Sequence, residues 1–136
     1  MTKNQRASVL AKTNGHCTYC GTELTGRWQV DHMHPIIRSS RYATDENGQF
    51  IRDEWERKLT EKYVTHPERD EFDNLWPACA SCNNYKNGNP LESFRESIAR
   101  QIEILRRDRP TFRLAERYGL IKCEPKEVVF YFETIC

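Results

Sequence analysis

Two C-x-x-C pairs, Cys17/Cys20 and Cys79/Cys82, and the stretch "DHMHP" from Asp31 to Pro35 hold most of the side chains in this chain that could do chemistry. Each cysteine pair presents two sulfurs from a tight turn. Two such pairs therefore match a tetrahedral four-thiolate zinc site, and the alternatives are redox pairs or coincidence. A site with four thiolates has no open position for chemistry, so its expected role is folding. Residues 21–78, 58 in all, separate the pairs. That is too many for a finger containing only metal, so the ion should clamp the base of a larger module. In "DHMHP" an acid and two histidines sit within four positions of a chain with 4 histidines. Each could be a metal ligand, a proton acceptor or a structural side chain.

The elements that must position these residues follow from periodicity. Residues 5–14 read as a short helix ending near Gly15. A turn signal at Thr25-Gly26, followed by Trp28, Val30, Ile36 and Ile37, reads as a hairpin of two short strands. "DHMHP" then falls near a strand end. Residues 38–73 are dense in charge, and Ile51, Trp55, Leu59 and Tyr63 recur every four residues, which predicts an inserted helix. "LESFRESIARQIEILRRD" predicts one long helix with Leu91, Phe94, Ile98, Ile102 and Leu105 inward. Arg109-Pro110 breaks it, a short helix runs to Tyr118, and "KEVVFYFETI" reads as a late strand by its β-branched and aromatic content.

With 136 residues, 38% hydrophobic and 30% charged, the chain has one domain's worth of sequence and a hydrated surface. The net charge of +1 averages an acidic middle with basic flanks and argues mildly against a large DNA footprint. "VVFYF" is too short to span a bilayer, and the opening residues lack the apolar centre of a signal peptide. The cytoplasm is the expected compartment, where paired cysteines more often hold metal than form disulfides.

In chain order, C-x-x-C, "DHMHP" and "NLWPACASCNNYKNG" resemble the HNH endonuclease family, over roughly Cys17 to Gly88. The resemblance implies an α+β fold with a small ββα-metal core closed by the four-cysteine zinc site. It would form one nuclease domain over residues 1–136, with a core near 15–90, an insertion near 38–73 and an extension over 91–136 carrying helices and the late strand. It further implies hydrolysis of phosphodiester bonds, most readily of DNA, leaving 3′-hydroxyl and 5′-phosphate ends. His32 would be the general base and Asn74 the asparagine that orients the base's segment. Asp31 and Asn83 would hold one catalytic Mg2+ or Mn2+, a pairing that suits hard ions because both offer oxygen. A family member usually has a shorter, glycine-bearing loop between Pro35 and Asn74, so the insertion here bears on substrate choice.

Other residues are less specific. Lys86 could contact a phosphate or be a solvated surface lysine. His34 occupies a variable position of the family pattern and reads as a surface side chain. His16 reads as a neighbour of the zinc knuckle, His66 as solvent-facing, and Cys123 and Cys136 as ordinary free thiols. The arginines from Arg95 to Arg117 read either as a solvated helix face or as contacts to a DNA backbone. The competing function is a non-catalytic zinc-clamped module that binds nucleic acid or acts as an adaptor, which would need the cysteines but not the Asp31, His32, Asn74 and Asn83 set.

Overall fold

A computed structural model describes residues 1–135; Cys136 lies outside the described residues. The fold is α+β, with two small two-stranded antiparallel sheets and six short α-helices among the described residues. No helix among the described residues is long and apolar enough to cross a membrane.

The first helix, α1 (Lys3–Ala11), starts where Thr2 and Gln5 exchange side-chain and backbone hydrogen bonds in a capping box. Just past it, Lys12 donates from Nζ to the carbonyls of Phe72 (2.6 Å) and Leu75 (2.9 Å) and lies over the rings of Phe72 and Trp76. Burial is the main influence on this lysine, and it lowers its pKa. One side chain thereby fixes the helix to the start of a distant strand.

The strands are β1 (Gln29–His32), β2 (Ile37–Tyr42), β3 (Thr60–Thr65) and β4 (Leu75–Ala78). The expected local hairpin around Thr25-Gly26 does not form. Instead β1 pairs with β4, putting Asp31 opposite Trp76 and His32 opposite Leu75. The second cysteine pair starts α2 (Ala80–Lys86), which follows β4 directly and packs on β1.

The insertion is not helical. β2 and β3 form a ribbon in which every residue is exposed. Two tight turns cap it, and they share one geometry. Asp45 accepts from the backbone N–H of Asn47 and Gln49, Asp53 accepts from that of Trp55 and Arg57, and Gly48 and Glu56 adopt positive φ. Aspartates that capture nearby amides compete with a helix for the same donors. The four-residue recurrence of Ile51, Trp55, Leu59 and Tyr63 thus coincides with the eight-residue spacing of two turns and mimics a helical stripe.

The remaining helices are α3 (Leu91–Ala99), α4 (Gln101–Asp108), α5 (Pro110–Arg117) and α6 (Tyr131–Thr134). The single long helix expected over 91–108 is divided at Arg100 (φ −88°, ψ −1°), and of its inward stripe only Phe94 is fully buried. The late strand does not form either. The backbone N–H groups of Tyr131 and Phe132 bond to the carbonyls of Tyr19 and Thr18, and Glu133 then accepts from the Phe130 N–H and starts α6. An acid three residues on is a helix-start signal that outweighs the β-branched composition before it. The core is small: Cys17, Tyr19, Ala78, Phe94 and Phe130 form the buried cluster, with Tyr19 set edge-on to both Phe94 and Phe130.

Candidate metal centre and adjoining cleft

The four sulfurs of Cys17, Cys20, Cys79 and Cys82 all lie within 4.8 Å of one another, and those of Cys20 and Cys79 are 3.9 Å apart. Four sulfurs at about 2.3 Å from a tetrahedral zinc would be about 3.8 Å apart, so the cluster has the dimensions the ion requires. The turns are preset for this. Cys17 Sγ accepts from the Cys79 N–H, and Cys79 Sγ accepts from that of Cys82. Gly21 closes the first knuckle at φ +74°, where a Cβ would meet the Tyr131 ring at 2.9 Å. Hydrogen bonding from the Cys82 thiol, partly opposed by burial, pushes the Cys17 thiol down to about 4. The same bond to the Cys17 thiolate, with burial, pushes Cys82 up. Among bare sulfurs, an anion at Cys17 is favoured and the Cys20 and Cys82 thiols hold their protons more tightly. Four sulfurs meeting at one point are more than a redox pair needs, and together they could hold a metal ion such as zinc. Cys123 is half-buried and not part of the cluster.

Beside the cluster, β1 and α2 border a cleft of about 430 Å³ lined by Asp31, His32, Pro35, Ile36, Asn83, Lys86 and neighbouring residues of the α2 end. The β1–β4 pairing and the helix that follows thus bring Asp31, His32 and Asn83 to one opening. His32 Nε2 lies 2.8 Å from Asp70 Oδ1. A carboxylate only accepts, so the ring donates from Nε2–H, and in the neutral tautomer with this contact the lone pair is on Nδ1. That hydrogen bond is the first cause holding the Asp70 carboxyl below the usual range, with Arg38 contributing from 3.6 Å. Asn83 donates from Nδ2 to Gln29 Oε1 at 2.6 Å, which leaves its oxygen available as an acceptor or ligand.

Asn74 does not line this cleft. Its Oδ1 accepts from the His34 N–H at 2.8 Å, and its Nδ2 donates to the carbonyls of His34 (2.8 Å) and Arg69 (2.9 Å). It reads the backbone on both sides of His34 and fixes the chain where it leaves β1. The exposed His34 contributes through its main chain. His16 accepts no metal role either: it stacks on Tyr131, and its Nδ1 is 3.0 Å from the Asn14 carbonyl. His66 is exposed and paired with Glu68.

Lys86 departs most from expectation. It is 1% exposed, so it is not a solvated surface lysine, although it lines the cleft. Its Nζ lies 3.0 Å from Asp31 Oδ2 and donates to the His32 carbonyl at 2.9 Å. The Tyr19 hydroxyl donates to the same Asp31 oxygen. Burial first, then the Asp31 charge, raises the Tyr19 pKa, so the phenol keeps its proton for this bond. Removing one member of such a buried pair strands the other's charge. Lys86→Met is therefore expected to cost about 3–5 kcal/mol, measured as a shift in urea unfolding, and Asp31→Asn in the same chain should recover most of the loss.

The basic density of the C-terminal part is largely matched internally. Arg95 pairs with Glu92 and Glu133, Arg106 with Glu116, Arg107 with Asp108 and Arg100 with Glu103, while Arg113 donates to the carbonyls of Arg106 and Arg107. The side chains that sequence reasoning missed are Asp70, Tyr19 and Gln29. Asp70 is one of several acids in a charged loop and Tyr19 looks like a spacer inside C-x-x-C, so neither carries a signal without the β1–β4 pairing.

No protein-family model, curated protein or solved structure matches the chain.

Proposed function

We propose that this chain is a metal-dependent endonuclease of the HNH type, with a ββα-metal core formed by β1, β4 and α2, which hydrolyses phosphodiester bonds of DNA. The observation that carries the reading is His32 at the cleft, with Nε2–H held by Asp70 and the lone pair on Nδ1, beside Asp31 and Asn83.

The four sulfurs fit zinc in donor type and spacing, and their part is to hold the α2 start against the first knuckle. The oxygen donors fit a hard ion such as Mg2+ or Mn2+ in type: Asp31 has one oxygen committed to Lys86 and Tyr19 and one remaining, and Asn83 offers its carboxamide oxygen. Such an ion, when bound, would supply positive charge to the phosphate and the departing oxygen. His32 Nδ1 accepts the proton of a water as its oxygen forms the bond to phosphorus. The bond from phosphorus to the 3′ oxygen then breaks and the departing oxygen takes a proton from a solvent water, which leaves the 3′-hydroxyl and 5′-phosphate. Asp70 keeps the ring in the required tautomer and stabilises the imidazolium that forms. Asn74 acts on none of the reacting atoms; it positions the segment that carries His32.

The contact between Lys86 and Asp31 favours a second reading, a zinc-clamped binding module in which the lysine permanently takes the place of an ion. Incubating the zinc-loaded protein with supercoiled plasmid in Mg2+ or Mn2+ separates the two. Conversion to nicked or linear forms is expected, and intact plasmid under both ions would overturn the nuclease reading.

A further inference from the structure

We propose that one face of the β2–β3 ribbon is a docking surface for duplex DNA and guides the backbone of the substrate into the cleft. The idea extends the nuclease reading above, but its binding test stands apart from cleavage. Cross-strand partners share a face, so Arg38 with Val64, Ser40 with Lys62, and Tyr42 with Thr60 form one side of the stem. That side carries two cations and no acid of its own: Lys62 is unpaired among the described residues, and Arg38 is shared with Asp70 beyond the stem. The opposite side is neutral, because Arg41 pairs with Glu61 at 2.6 Å and lies over the Tyr63 ring.

Both strands are exposed along their whole length, and a two-stranded ribbon in water is marginal alone, so a partner is expected. Cations alternating with the hydroxyls of Ser40 and Thr60 are the side chains that contact phosphate and sugar. An adaptor surface for protein would instead need an apolar centre, whereas here the exposed Val64 and Tyr42 stand at the two ends of the face and Ser40 with Lys62 fills its middle. A single strand would need an open aromatic platform, yet Tyr42 is set edge-on to Phe50 and covered by Lys58. A stem of six residues is about 20 Å long, which matches about six base pairs of duplex.

The face is continuous with the cleft. Arg38 is 3.6 Å from one oxygen of Asp70, whose other oxygen holds His32. At the far end the cap carries the acids Asp45, Glu46, Asp53, Glu54 and Glu56 against the cations Arg52, Arg57 and Lys58, with Asp53 paired to Arg57, so it is net acidic and disfavours phosphate relative to the stem. Lys62 has no ion-pair or hydrogen-bond partner among the described residues, so its charge is available.

Fluorescence anisotropy on a labelled 20-base-pair DNA duplex, in Ca2+ so that no cleavage intervenes, tests the proposal. Lys62→Glu should bind about tenfold more weakly or worse, and Lys62→Ala should lower the slope of log affinity against log salt by about one. Lys62→Arg should retain both, and circular dichroism with zinc content checks that each variant is folded. Unchanged affinity and slope in Lys62→Glu, no binding by the unsubstituted protein, or tighter binding of an RNA duplex of the same length would each overturn it. Failure of the nuclease reading shows separately, as intact plasmid.

Discussion

Replacing His32 by alanine is expected to lower plasmid cleavage about 10²–10⁴-fold, the range typical of losing a positioned general base. The protein should keep its fold and zinc content. Among the described residues the imidazole makes one hydrogen bond, to Asp70, whereas the link that ties β1 to α2 uses the His32 carbonyl and survives the substitution. Added imidazole should restore part of the rate, an outcome that a purely structural role for His32 could not produce. Asp70→Asn is the companion variant, because it keeps an acceptor for Nε2–H and removes the charge that stabilises the imidazolium. Its loss should be smaller, about 10–100-fold. A His32→Ala protein as active as the original would remove His32 from the chemistry.

Cys82→Ser, or extraction of the metal with a strong chelator, should unfold the domain cooperatively. Structural zinc in small domains contributes an apparent 10–16 kcal/mol at neutral pH, about the whole stability of an ordinary domain, which is about 5–15 kcal/mol. The core here is too small to compensate. Its buried cluster contains two of the chain's phenylalanines, Tyr19, Ala78 and Cys17, which also belongs to the sulfur cluster, so an ion bound there and the apolar core would form one structure. Circular dichroism and metal analysis on the same sample would check this. The expected result is loss of helix signal together with loss of about one zinc per chain. A Cys82→Ser protein that stays folded without metal would overturn the clamp.

The cysteine cluster is legible in the sequence because C-x-x-C spacing is local and the four sulfurs converge wherever the intervening chain goes. The α+β class and the position of α2 follow from the same stretch. The partner of β1 is not legible. β4 lies beyond the insertion, and alternation within Gln29–His32 shows only that a strand exists. The ribbon is misread as a helix because apolar spacing cannot distinguish a helix from two repeated turns when both repeat at multiples of four. Burial decides between them, and Ile51, Trp55, Leu59 and Tyr63 are all exposed. In the candidate site, Asp31, His32 and Asn83 follow from the motif order, whereas the sharing of one Asp31 oxygen by Lys86 and Tyr19 depends on helix–strand packing that no local pattern encodes.

Ile37 and Thr65 are cross-strand partners, and three contacts close the chain just outside them: Arg69 to the Pro35 carbonyl, Asp70 to His32 and Asn74 to His34. The whole of residues 37–65 is therefore an exchangeable part. Its two ends are adjacent, so a short hairpin turn could join them, and a longer or different ribbon could be grafted at the same place with little added closure entropy. The proposed catalytic arrangement and the proposed docking surface can accordingly vary independently, with the stapled ends as the socket between them.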